Sequence, residues 1–306
     1  MEPAPLAPKI ADFYMTQSVF SEPNDLVGYY PDLPADPTAL AGIVRNLLVH
    51  RLEGELFDYR IPPDRLRDDA ETRYVDDILR LITGRDGAPL TSPRRLDDRF
   101  VGICRDFALL HCSFLRHAGV PARIRSGFAD YFGDTGFHFD HVVCEYWDER
   151  HGWRLADPQL ADPSAAGSLG VDFDHMDVPR DRFLVAGAAW RSIRAGEADP
   201  NTFGLPPEEG GLVGEWFVAG NVRLDLAMIN KVEPLLWDIW GPEVTDGERL
   251  AAEDCELYDR AAALTVGDVP FEAASALFTG NDALRTPRTV LTRPVYGSPR
   301  EVLLRG

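Results

Sequence analysis

The sequence predicts an α+β fold. Three observations carry that expectation. Apolar residues recur at helical spacing on both flanks of the chain. Strand-like alternation is concentrated between residues 122 and 157. No regular strand-helix-strand alternation and no internal repeat runs through the sequence.

The elements follow in order. Residues 1–38 are rich in proline and aromatics, with "PDLPADP" as a linker or loop. Phe13, Tyr14, Phe20, Tyr29 and Tyr30 would be exposed unless this arm packs on the body. "TALAGIVRNLLVHRL" has apolar residues at 40, 43, 44, 47 and 48 and is expected to be a helix. "DDAETRYVDDILRLITG" is a second, with Asp68 or Asp69 as its cap and Gly84 just past its end. The stretch from Cys104 to His117 is a third, ended by Gly119 and Pro121. "ARIRSGFADYF" alternates as a strand, and Arg123 and Arg125 are expected to face solvent from it. "GDTGFHFD" is expected to be a loop, and "HVVCEYW" and "WRLAD" two strands joined by the turn-rich "DERHG". The last third is mainly helical: "NVRLDLAMINKVEPLLWDIWG" breaks near Pro234, the next helix opens on a capping pattern of Thr245 and Glu248, and a short one follows from Pro270. This gives an arm at 1–38, a core at 39–205 and a helical C-terminal extension at 206–306.

Composition narrows the class. Lys and Arg total 31 against 50 Asp and Glu, a formal charge of −19. Such a surface repels phosphate backbones and anionic lipid, so neither nucleic acid nor membrane is an expected partner. The first residues lack a basic segment followed by an apolar run, and no apolar run approaches membrane-spanning length. Four cysteines, at 104, 112, 144 and 255, are too few for a disulfide framework and lack metal-type spacing. A reduced, cytoplasmic protein is the expectation.

The chemistry centres on Cys104. It falls on the first turn of its helix, where unpaired N–H groups and the positive end of the helix dipole favour a thiolate and can bind an oxyanion. Cys112 lies two turns further on among Phe107, Leu110, Phe114 and Leu115 and is expected to be core. A nucleophilic thiol also needs a base and a group to orient it. His141 opens one strand and Asp157 closes the next, each eight residues from Glu149. A hairpin folding about Glu149 would make them direct cross-strand neighbours. A turn of another length would change that pairing. His138, His141 and Cys144 step along one strand by threes, so they alternate faces and do not converge on zinc.

"VGICRDFALLHCSFLRHAGVPARIRSGF" followed by "DHVVCEYWDERHGWRLADPQ" resembles the transglutaminase-like superfamily of cysteine enzymes. The likeness covers roughly residues 96–160, about a fifth of the chain. It implies a papain-like α+β core, with the cysteine helix packed on an antiparallel sheet and further helices at both ends. It implies Cys104 as nucleophile, His141 as base and acid, and Asp157 as the orienting carboxylate. The implied chemistry is acyl transfer or hydrolysis at an amide or thioester of a peptide, protein or small-molecule substrate. No calcium-type acidic loop is present, so neither metal nor cofactor is expected. "RRLDDRFVGIC" departs from the family pattern by holding no Gln or Asn to complete an oxyanion hole, which leaves Arg99 or a backbone N–H for that role. His138 and Asp140 are expected as loop residues beside the cleft, able to touch substrate. The alternative is a catalytically silent fold that binds a peptide or scaffolds an assembly.

Overall fold

The computed structural model describes residues 4–133, 136–242 and 249–306. It is α+β: among the described residues, helices accompany a two-stranded parallel sheet, a three-stranded antiparallel sheet and a mainly antiparallel five-stranded sheet. Thr245 and Glu248 lie outside the described residues, as do Asp134 and Thr135 of the expected loop. The chain divides into two interleaved units. The first comprises residues up to Ile124, Val143–Val178 and Pro294–Ser298, and the second Arg125–Val142, Pro179–Arg293 and Pro299–Gly306.

In the first unit, α1 (Pro8–Met15) and α2 (Pro37–Leu47) precede β1 (Leu48–His50). The Asp36 carboxylate caps α2 by accepting from the Ala39 N–H at 2.7 Å. Tyr14, Phe20 and Tyr30 of the arm are buried. The expected helix at 38–52 therefore ends early, and its last residues form a strand. Next come α3 (Pro63–Asp68) and α4 (Val75–Arg85). Asp69 does not cap α4: its buried carboxylate takes two bonds from Arg85, at 2.6 and 2.8 Å, and one from the Val101 N–H at 2.9 Å. β2 (Phe100–Gly102) pairs parallel with β1, setting Leu48, Val49 and His50 level with Phe100, Val101 and Gly102. α5 (Cys104–His117) follows, and Gly119 at φ +78° ends it in the left-handed conformation that glycine supplies cheaply.

β3 (Ala122–Ala129) and β4 (His138–Asp148) each begin in one unit and finish in the other. β4 begins three residues before His141, so His138 and Asp140 belong to a strand rather than a loop. In the first unit β4 pairs antiparallel with β5 (Gly152–Ala156), and the helix α5 packs its Cys112 thiol against Cys144. α6 (Pro163–Ser168) closes this part. In the second unit β3 pairs with β6 (Phe183–Val185), and β4 pairs parallel with β7 (Phe203–Gly204). α7 (Ala186–Arg194), α8 (Glu215–Ile229) and α9 (Ala252–Ala263) pack together there, with α10 (Phe271–Gly280) against α8. The last hundred residues are not helical throughout. β8 (Asp238–Ile239), β9 (Thr289–Thr292) and β10 (Arg300–Leu303) form an antiparallel sheet in the order β10-β9-β8.

Arg123 and Arg125 are buried, against expectation. Every residue of β3 is buried, so its two faces do not separate into core and solvent. Arg123 donates to Glu145 at 2.7 Å in the first unit, and its guanidinium lies 4.2 Å from the centre of the Trp153 ring. In the second unit Arg125 makes two 2.9 Å bonds to Asp225 of α8 and one of 2.5 Å to the Thr265 carbonyl. Removing one partner of such a pair strands a charge in the core. Asp225→Ala is expected to lower unfolding free energy by about 3–5 kcal/mol, read as a reduced urea midpoint.

Candidate active site

The start of α5 is built by two strands and one carboxylate. Val49 and Val101, level in the β1–β2 pair, pack with Ile61 on one face. Alternation sends His50 and Gly102 to the other. A Cβ placed on Gly102 would lie 3.0 Å from Oδ2 of Asp106 and 3.1 Å from the Phe100 ring, so that face looks onto the first turn of α5. Oδ2 of Asp106 accepts the Ile103 N–H at 3.0 Å, and Oδ1 accepts from Arg105 at 3.0 Å. Arg105 is fully buried and also donates to the Arg73 carbonyl at 2.6 Å. Burial raises the Asp106 carboxyl above the ordinary range, against the pull of Arg105 and the Ile103 N–H. Cys104 is thereby the first residue of the helix and is only 6% exposed.

Asp157 ends the β4–β5 hairpin in the same unit. It is buried, its N–H donates to the His175 carbonyl at 2.7 Å, and its carboxylate accepts the Gln159 N–H at 3.0 Å. It therefore caps a tight helical turn, Pro158–Ala161, that packs against both α2 and α5. The Gln159 side chain donates to Oε1 of Glu53 at 3.1 Å. Oε2 of Glu53 accepts from Arg45 at 2.7 Å and from the His50 N–H at 3.1 Å. One carboxylate thus joins the end of α2, the end of β1 and the turn behind Asp157. Neither Glu53 nor Gln159 is distinctive in the sequence, because the partners are 106 residues apart.

The hairpin register corrects the expected one. Asp148 faces Gly152 and Cys144 faces Ala156, so the turn centres on Arg150 rather than Glu149. Gly152 at φ +80° and Asp148, which accepts the Arg150 and His151 N–H groups at 2.9 Å, set that turn. Continuing the ladder by one residue puts Val143, not His141, level with Asp157. The shift is two residues, so the alternation of faces is unchanged.

His141, His138 and Asp140 belong to the second unit, and Cys104, Asp157 and Arg99 to the first. His141 is 2% exposed and ringed by Phe132, Tyr131 and Phe183 at 4.7, 5.9 and 6.2 Å between ring centres. His138 stacks on Phe203 at 4.3 Å, and burial lowers its pKa. The Asp140 carboxyl is pushed up to about 7, first by burial and then by Glu209, with Asn221 opposing. Arg99 spends its guanidinium on the carbonyls of Arg94 at 3.2 Å and Arg45 at 3.4 Å. Its own carbonyl accepts from Arg65 and Arg85. Arg99 fastens the loop that leads into β2. Among the described residues no group of three His, Cys, Asp or Glu side chains is placed to hold a metal ion, and no helix is long and apolar enough to cross a membrane.

Residues 83–158 match the model of the transglutaminase-like superfamily. The chain carries a transglutaminase-like domain. The matched segment of that domain runs from the end of α4 to Pro158 and contains Cys104, His141 and Asp157. Solved structures with detectable likeness include a candidate cysteine protease from Cytophaga hutchinsonii, at 17% identity over 53% of this chain and 47% of that one, TM-score 0.34. Red sea bream transglutaminase aligns at 21% identity over 55% of this chain and 30% of that one, TM-score 0.30. The periplasmic domain of TgpA from Pseudomonas aeruginosa aligns at 19% identity over 55% and 51%, TM-score 0.24. The chain thus spans about half or less of the length of each. Among curated proteins none matches the sequence. The family assignment rests on the matched segment.

Two outcomes follow for the transglutaminase-like domain. Gly102→Ala presses a methyl group onto Asp106 and Phe100 and should cost about 1–3 kcal/mol, seen as a lowered melting temperature. The Asp140 carboxyl titrates near 7 when folded and near about 3.9 when unfolded, so the folded state holds the extra proton between those values. Stability from this group falls as pH rises through that window. The stability advantage of Asp140→Asn over wild type should therefore grow between pH 4.5 and pH 8, measured as the difference in urea midpoints.

Proposed function

We propose that the protein is a cysteine enzyme that transfers or hydrolyses acyl groups of amides or thioesters through a thioester on Cys104. Cys104 is the nucleophile, His141 the base and then the acid, and Asp157 the group that orients the imidazole. The observation that supports this most is Cys104 at the first position of a buried helix inside the matched family segment. The same segment also holds His141 on a strand and Asp157 just before a proline.

In this reading Sγ of Cys104 attacks the carbonyl carbon while His141 takes the thiol proton. The oxyanion forms beside the first turn of α5, where the positive end of the helix dipole favours negative charge. Collapse expels the amine or thiol, which leaves with the proton from His141. Water or an amine then attacks the thioester while His141 takes its proton, the C–S bond breaks to release the acid or amide, and His141 returns the proton to Sγ of Cys104. The substrate is a peptide, a protein or a small amide or thioester.

Three variants test the proposal. Cys104→Ala is expected to abolish covalent labelling by an acyl donor, read by intact-protein mass spectrometry. His141→Ala should slow alkylation of Cys104 by iodoacetamide at pH 6.5 and lower acyl turnover by about 10²–10⁴-fold. Asp157→Asn should lower turnover while the thiol stays accessible. A Cys104 that reacts no faster in wild type than a free model thiol would mark a catalytically silent fold.

A further inference from the structure

A base works when it exchanges its proton with the reacting groups and not with bulk water. For His141 the surroundings that decide this lie within the second unit. β3 ends at Ala129, level with Phe183 of β6. The next residue fastens the chain there. The Asp130 N–H donates to the Arg182 carbonyl at 3.1 Å, and its carboxylate accepts from Arg182 at 2.7 Å. Tyr131 and Phe132 follow directly. On β4, alternation places Phe139 and His141 on one face and His138 and Asp140 on the other. The Phe132 ring centre lies 4.7 Å from that of His141 and 6.0 Å from that of Phe139. The segment after β3 therefore covers the face of β4 that carries the base.

The three rings around the imidazole differ in one respect. Tyr131 and Phe183 are buried, whereas Phe132 is partly open to solvent. Phe132 is also the nearest of the three. It stands as the outer wall of a site in which His141 itself is 2% exposed. That wall is braced. Tyr131 packs on Phe132 at 4.8 Å, and Phe139 is backed in turn by Phe137 at 5.1 Å. The Phe132 ring is steeply inclined to both His141 and Phe139, at 70° and 78°, an arrangement that aromatic pairs favour.

We propose that Phe132 is a positioning residue for the base: its ring closes the solvent side of His141 and keeps the imidazole dry and fixed. The proposal rests on the reading of His141 as the base. A dry imidazole does not leak its proton to solvent while the thiol proton is in transit. Packing on three sides also holds the ring in one orientation, which a reacting group requires. Trimming Phe132 opens the outer side alone, because Tyr131 and Phe183 remain on the others. Asp140, next in sequence to His141, is on the opposite face and engages Asn221 of α8.

Water access and base function are read separately. Carbethoxylation by diethyl pyrocarbonate, resolved by peptide mass spectrometry, reports how open each histidine is, with the exposed His151 as internal reference. Alkylation of Cys104 by iodoacetamide at pH 6.5 reports the base. Phe132→Ala is expected to speed modification of His141 relative to His151 by about 10-fold and to slow alkylation of Cys104 by about 10-fold. Phe132→Leu, which restores an apolar cover, should bring both rates back to within about threefold of wild type. His141 modified no faster in Phe132→Ala than in wild type overturns the barrier. Faster modification with unchanged alkylation overturns the positioning role, and so does a leucine variant as defective as the alanine one. A matching rise at His111, buried in the first unit, overturns it as well, being the sign of a loosened fold. Alkylation left unchanged by His141→Ala overturns the proposed base itself, and the role of Phe132 with it.

Discussion

The Asp106 carboxylate fixes where the cysteine helix begins. Its two oxygens close the first turn of α5, one on the Ile103 N–H and one on Arg105. A buried carboxylate is costly unless its lone pairs are used, and here both oxygens have donors. The arrangement restricts its neighbours. A side chain at residue 102 would press on Oδ2 of Asp106 and on the Phe100 ring, 3.0 and 3.1 Å from its Cβ. Arg105, fully buried, has to reach the Arg73 carbonyl, which draws the segment before α4 to the helix. The position of Cys104 at the head of α5 follows from these packing demands before any chemistry is considered.

A second carboxylate works over a longer range. Glu53 accepts bonds from Arg45, His50 and Gln159 and so ties the junction of α2 and β1 to a turn 106 residues later. The turn behind Asp157 is thereby held against α2 and α5. Precision in a site comes from such support more than from the reacting groups. The second unit shows the same habit: Arg125 and Asp225 meet in two parallel bonds, and Ser126 adds its N–H to the same carboxylate at 3.1 Å.

Much of this was legible in the sequence, and the failures have physical causes. The long helices announce themselves because each shows an apolar stripe, and the α+β class follows from where the strands cluster. β1 and β2 were invisible because three residues carry no periodicity, and their parallel partners lie 52 positions apart. Arg123 and Arg125 misled because alternation separates faces only when one face is wet, whereas β3 is covered on both. The hairpin centre was missed by one residue because Gly152 and Asp148, not charge or hydropathy, determine the turn. The helix that Cys104 opens was legible because Gly119 and Pro121 mark its end. The link from Glu53 to Gln159 was not, since the two lie 106 residues apart.

The bond pair between Arg125 and Asp225 bears on how far the motif can be separated from the rest of the chain. Every residue assigned a catalytic role lies before position 160, which invites excision of that portion as a minimal enzyme. Such a fragment would keep Arg125 in β3 and lose α8, with its only carboxylate partner among the bonds described here. The guanidinium would be left in a core built to receive a charge from a segment one hundred residues later. The segment matched to the family is contiguous in sequence, but the fold that carries it is not modular at that boundary.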